Sequence, residues 1–117
     1  MNVIQHTLKR FRYAFGGISF ALKNDHSFRT QVLIGLPFVF LVSYFGSPLT
    51  QFEWVLLIGS YAFVLITELQ NTAFEAALDH LHPELHDRIG RSKDMAAGAV
   101  LLSGAIFLAS IILILCL

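Results

Sequence analysis

Two uncharged stretches of 23 residues, Thr30 to Phe52 and Met95 to Leu117, constrain this chain of 117 residues more than any other feature. At about 1.5 Å of rise per residue, some 20 apolar residues cross a hydrocarbon core roughly 30 Å thick. Both stretches are long enough. Burying them in a water-soluble domain would need polar sequence to cover them, and little is left. Hydrophobic residues make up 56% of the chain and charged residues 14%, against about 45–50% and about 25% in soluble domains. Mean hydropathy is +0.67. The sequence therefore predicts one all-α, membrane-embedded domain. Its length excludes a dinucleotide-binding unit with a second domain, a large barrel or a solenoid. Eight basic and eight acidic residues cancel, so no bulk basic field exists for nucleic acid. The single cysteine, Cys116, excludes an intramolecular disulfide and a multi-cysteine zinc site.

A third uncharged stretch, Trp54 to Thr67, has only 14 residues, bounded by Glu53 and Glu68. It covers about 21 Å, so its helix must continue through Glu68 to about Thr72 or Ala73. Glu68 then lies inside the membrane, toward one face. Intramembrane carboxylates are expensive, face the bundle interior and are functional candidates by default. The alternative is a glutamate that caps or hydrogen-bonds a neighbouring helix. Spans are expected at 30–49, 52–80 (running on into the cytoplasm) and 92–117. Pro37 is expected to kink the first or mark its early turns.

Lysine and arginine set the orientation. Lys9, Arg10, Arg12, Lys23 and Arg29 precede the first span; Arg88, Arg91 and Lys93 lie between the second and third. The connection from Gly46 to Glu53 has none. The positive-inside rule puts the N-terminus and the second connection in the cytoplasm. Residues 1–28 do not read as a signal peptide, because basic and aromatic residues are interspersed without a short apolar core. Instead Ile4, Leu8, Phe11, Phe15, Ile18 and Leu22 fall within about 80° of helical arc. This predicts an amphipathic helix, lying on the cytoplasmic membrane surface or packed on the bundle by the same stripe.

The second helix carries a polar stripe: Glu68, Asn71, Glu75 and Asp79 lie within about 80° of arc and span roughly 16 Å of axis. One end is in the membrane and the other in the cytoplasm. Such a gradient suits chemistry between an embedded group and a water-borne one. A lipid hydroxyl could reach Glu68, where a desolvated carboxylate suits a general base working near neutral pH. Glu75 lies two turns nearer water, where Mg²⁺ and phosphates could sit, since magnesium takes one or two carboxylates plus substrate phosphates. Lys93 would offer those phosphates positive charge. A proton or ion pathway, a non-catalytic scaffold or a polar oligomer interface would use the same stripe.

His80, His82, Glu84 and His86 could be zinc ligands, but Pro83 removes the i, i+4 helical spacing, and interfacial loop histidines are the simpler reading. Gly16-Gly17 is not a phosphate loop, and no Walker or protein-kinase signature occurs. Asp25 is a natural helix N-cap. Small residues on the third helix (Ala96 to Ala99, Ser103 to Ala105, Ala109) allow close helix approach in lipid. Three helices barely cover such a stripe, so a homo-oligomer is expected.

Glu68-Leu69-Gln70-Asn71-Thr72-Ala73-Phe74-Glu75-Ala76-Ala77-Leu78-Asp79, followed by Lys93-Asp94-Met95-Ala96-Ala97-Gly98-Ala99-Val100, closely resembles the prokaryotic diacylglycerol kinase family. The family pattern is roughly E-x-x-N-[ST]-A-x-E-x-x-x-D, a short loop with His, then K-D-x-x-[AS]-[AG]-A-V. Phe11 to Arg29 also fits, so the resemblance covers nearly the whole chain. It implies a small kinase of the bacterial cytoplasmic (inner) membrane, with three transmembrane helices and a surface helix per subunit. It further implies a homotrimer with sites between subunits, and transfer of the γ-phosphoryl of MgATP to a lipid hydroxyl. By motif, Glu68 resembles the catalytic base. Asp25 and Glu75 resemble metal ligands. Tyr13, Asn71, Glu84, His86, Lys93 and Asp94 resemble nucleotide-site residues. Ser27, Phe28, Arg29, Gln31 and Ala97, with Glu68, are implied to meet the lipid.

Asp25 stands where the family usually has Glu, one methylene longer. Ser19 and Gln31 stand where the enterobacterial branch has Arg and Glu. Ala96-Ala97-Gly98 and Tyr13 to Ile18 resemble the Gram-positive branch, which prefers undecaprenol. Gly90-Arg91-Ser92-Lys93-Asp94-Met95 resembles the diacylglycerol branch. Both lipids stay open, with the reading leaning to diacylglycerol.

Overall fold

Each helix begins where a polar side chain can take up its unpaired N–H groups. The Asn2 side chain accepts from the Gln5 N–H, Asp25 from Phe28, Thr50 from Glu53 and His86 from Arg88. Gln5 and Glu53 reach back to the cap N–H, closing two capping boxes. The computed structural model, which describes residues 2–84 and 86–117, thus has α1 (Val3–Asn24), α2 (His26–Phe45), α3 (Gln51–Leu81) and α4 (Asp87–Cys116). No strand occurs among the described residues.

The boundaries differ from the expected spans in ways the caps explain. The helix expected over 30–49 occupies His26–Phe45, because Asp25 starts it and the Gly46-Ser47-Pro48 sequence stops it; a residue before proline avoids the helical region. Pro37 is not in the early turns. It sits mid-helix, and α2 continues past it, as transmembrane helices tolerate where neighbours re-satisfy the backbone. The helix expected from 92 begins at Asp87, capped by His86.

Three of the helices, α2, α3 and α4, are long and apolar enough to cross a membrane. With 31 residues, α3 is roughly 46 Å long, which exceeds a hydrocarbon core of about 30 Å. Glu68 lies roughly 26 Å from its start, Glu75 roughly 36 Å and Asp79 roughly 42 Å. The stripe therefore occupies the second half of a helix longer than that core is thick.

The core is the seam of α3 and α4. Leu57 and Ser103 are fully buried, and Val42, Leu57, Ile111 and Ile114 form one apolar cluster. Hydroxyls join the two helices inside the seam: Thr67 and Ser103 share a hydrogen bond of 2.8 Å. Of the small residues on α4, Ser103 and Ser110 are buried, the latter donating to the Ile106 carbonyl of its own helix, whereas Ala97, Ala99, Ala105 and Ala109 are exposed. Phe107 of α4 ties in the other spans. Its ring centroid lies 6.3 Å from Phe38 on α2 and 5.6 Å from Tyr61 on α3. Tyr61 also lies against α2 at Gly35, where a Cβ would fall 2.5 Å from its ring. Its hydroxyl donates to the Gln31 carbonyl at 2.8 Å.

The surface helix α1 attaches through its last turns, where Ala21 is buried. Its apolar stripe is not spent on its own bundle: Ile4 is 70% exposed and Phe11 59%.

Candidate active site

The stripe on α3 grades from protein interior to open surface. Glu68 is buried, 6% exposed; Asn71 is half-buried; Glu75 and Asp79 are exposed. Spacing of three and four residues on a 3.6-residue helix keeps all four on one face. Asp25, the single residue between α1 and α2, approaches the same face. Its Oδ2 accepts from the Thr72 hydroxyl at 2.6 Å and from its own cap partner, the Phe28 N–H, at 3.0 Å. The tertiary structure thus brings Asp25 to the turn of α3 between Glu68 and Glu75, 47 residues from Thr72 in sequence.

On the same face of α3 the Asn71 Oδ1 is buried and accepts no hydrogen bond among the described residues. A buried acceptor of this kind calls for a further partner. Asp25 is held against the next residue, Thr72, and Glu75 lies one turn on; oxygen donors on one face suit a hard divalent cation such as Mg²⁺. Among the described residues no three His, Cys, Asp or Glu side chains converge as a complete metal cage. A cation here would draw its remaining ligands from substrate phosphates and water, the usual magnesium arrangement.

Tyr13, Asp25 and Thr72 line a cleft of about 440 Å³ between α1 and α3, floored by Gly17, Ala21, Ala73 and Ala76. Tyr13 is exposed, and Lys9 lies over its ring with Nζ 5.8 Å from the centroid. Glu84, His86 and Lys93 share a small recess of about 60 Å³ with His82 and Pro83. His86 has a second duty, since its Nδ1 caps α4; Nε2 remains to donate. Asp94 lies with His86 and Arg91 on an open depression. Lys93 is ion-paired with Asp79, one turn beyond Glu75. Its ammonium therefore stands at the outer end of the carboxylate stripe. The rings of His82 and His86 are 6.4 Å apart.

The residues implied to meet the lipid differ in exposure. Ser27 and Ala97 are exposed, Phe28 is buried, and Arg29 is half-buried with its guanidinium donating to the Lys23 carbonyl. Gln31 is half-buried and contributes its carbonyl to Tyr61.

Two contacts at the site join elements in a way the sequence does not show: Thr72 on Asp25 and Lys93 on Asp79. The Ser-or-Thr position of the family pattern singles out Thr72 without saying what its hydroxyl meets; Thr67, five residues earlier, bonds to the Phe63 carbonyl of its own helix and to Ser103 on α4.

The prokaryotic diacylglycerol kinase family profile matches residues 12–115. The chain belongs to that family. It is 34% identical to the diacylglycerol kinase of Escherichia coli (strain K12) over 97 residues, 82% of this chain and 77% of that one. With the diacylglycerol kinase of Haemophilus influenzae it shares 29% identity over 100 residues, covering 86% and 83%. With that of Helicobacter pylori (strain J99) it shares 34% over 103 residues, covering 88% and 78%. The chain is a membrane lipid kinase, and the family implies that it uses ATP.

Proposed function

We propose that this kinase phosphorylates diacylglycerol to phosphatidate in the bacterial inner membrane, using MgATP. The observation that carries the reading is the depth gradient on α3. Glu68 is buried within the apolar α3, whereas Glu75 and Asp79, further along the same face, are exposed. A lipid hydroxyl and a water-borne triphosphate meet only at such a boundary.

Glu68 takes the proton of the lipid hydroxyl. The oxygen attacks the γ-phosphorus in line, the bond from that phosphorus to the β-phosphate bridging oxygen breaks, and ADP leaves. Asp25, Asn71 and Glu75 would hold Mg²⁺, which when bound neutralises phosphate charge. Lys93 offers further positive charge where it accumulates. Tyr13 supports the adenine end from α1, and Glu84, His86 and Asp94 border the nucleotide on the α3–α4 side. Ser27, Phe28, Arg29, Gln31 and Ala97 shape the approach of the lipid. The bulk of α1's exposed apolar stripe suits the cytoplasmic membrane surface, which sets the N-terminus and the α3–α4 connection inside. The outward small-residue face of α4 suits packing between subunits of a homotrimer.

The test is a competition assay. Purified protein in mixed micelles receives Mg²⁺, labelled ATP and equal surface fractions of diacylglycerol and undecaprenol. Label in phosphatidate is expected. Label in undecaprenyl phosphate would overturn the lipid assignment and place Ala96-Ala97-Gly98 above Gly90 to Met95 as the specificity signal. For shared sites, mixing Glu68→Gln with Lys93→Ala subunits should recover part of the activity; none, in demonstrated mixed oligomers, would place each site within one chain.

A further inference from the structure

We infer that Thr72 is a positioning residue that clamps the Asp25 carboxylate in one orientation, leaving a single oxygen free for a divalent cation. This rests on the proposed metal role of Asp25 and Glu75. Both hydrogen bonds to Asp25 fall on the same atom: Oδ2 accepts from the Phe28 N–H and from the Thr72 hydroxyl. Two donors occupy the lone pairs of that oxygen. Oδ1 accepts no hydrogen bond among the described residues, so it is the atom left for a ligand. The cap bond ties the carboxylate to the start of α2, and the Thr72 bond ties it to α3, four residues after Glu68 and three before Glu75.

The second bond fixes which way the side chain turns. Asp25 meets α3 at Thr72, between Glu68 and Glu75 along that helix, and like charges repel. Asp25 sits in a one-residue connection, so without a donor on α3 its side chain is free to turn outward and still cap α2. The hydroxyl holds it inward before any cation arrives. Preorganising a ligand in this way raises affinity, and outer partners of metal ligands typically change affinity about 10–100-fold when removed. Aspartate also suits this clamp better than glutamate would. It is a strong N-cap, so one short carboxylate serves both the start of α2 and the bond to α3.

The experiment measures cation binding directly, not turnover. Mn²⁺ binding to the full-length protein in micelles, with a non-hydrolysable ATP analogue, is followed by electron paramagnetic resonance. Wild type is compared with Thr72→Val, Thr72→Ser, Asp25→Ala and Glu75→Ala. Thr72→Val keeps the shape and removes the donor; it should weaken Mn²⁺ about tenfold, and Thr72→Ser should restore affinity to within about twofold. Unfolding by sodium dodecyl sulfate, run without metal, separates stability from affinity. Should Thr72→Val not assemble, Thr72→Ala is the donorless variant, with the same expectation. Wild-type affinity in the donorless variant, with Asp25→Ala weakened, would overturn the clamp and leave the metal site standing. Equal weakening in Thr72→Ser and Thr72→Val would also overturn it. Unchanged affinity in Asp25→Ala and Glu75→Ala would overturn the metal reading itself, and the clamp with it.

Discussion

Gly35→Ala is a one-methyl change with a calculable outcome. The new Cβ would stand 2.5 Å from Cε1 and 2.6 Å from the hydroxyl oxygen of Tyr61, well inside contact distance. Tyr61 has little room to retreat: it is buried, and Phe107 lies 5.6 Å away on its other flank. Overpacking of this kind costs about 1–3 kcal/mol. Displacing the ring also breaks its bond to the Gln31 carbonyl, about 0.5–1.5 kcal/mol more. Replacing glycine in a helix returns about 1 kcal/mol, so the net loss is about 0.5–3.5 kcal/mol, centred near 2. The assay is unfolding in mixed micelles with rising sodium dodecyl sulfate, read by helical circular dichroism. Gly35→Ala is measured alone and in a Tyr61→Ala background. With the ring gone the methyl has space, so the same substitution should be neutral or stabilising by up to about 1 kcal/mol. An equal cost in both backgrounds would refute the reasoning, because the penalty would then not arise at the Tyr61 contact.

Glu68→Gln should lower turnover by about 10²–10⁴, the usual contribution of a general base, with an unfolding midpoint near wild type; substantial activity would remove Glu68 from the chemistry. Lys93→Ala breaks an exposed ion pair with Asp79, worth at most about 1 kcal/mol; a loss of kcat far beyond that, at unchanged stability, identifies charge at the phosphates. Ser103→Ala removes the fully buried partner of Thr67 and should cost about 0.6–1.5 kcal/mol in the same unfolding assay; no cost would mean Thr67 is satisfied by its own helix. Chelation of divalent ions should abolish turnover reversibly, and activity surviving it would remove magnesium from the reaction.

What the linear sequence decides is periodicity and supply. Two uncharged runs of 23 residues have only one economical environment, so the all-helical membrane class follows without any tertiary information. The 14-residue run is too short to span alone, so a spanning α3 must include Glu68. The helical period then puts Asn71, Glu75 and Asp79 on its face. Capping chemistry is equally local, and Asp25 and Thr50 show their roles to their immediate neighbours. Partners between helices are another matter. Whether Asp25 turns toward α3, that Thr67 meets Ser103 while Thr72 meets Asp25, and that Gly35 faces Tyr61 depend on how the helices are rotated and slid against one another. Period 3.6 fixes which residues share a face but not which face meets which. That choice is made by close packing along the α3–α4 seam and by the rings around Phe107, where contacts from three helices must fit at once.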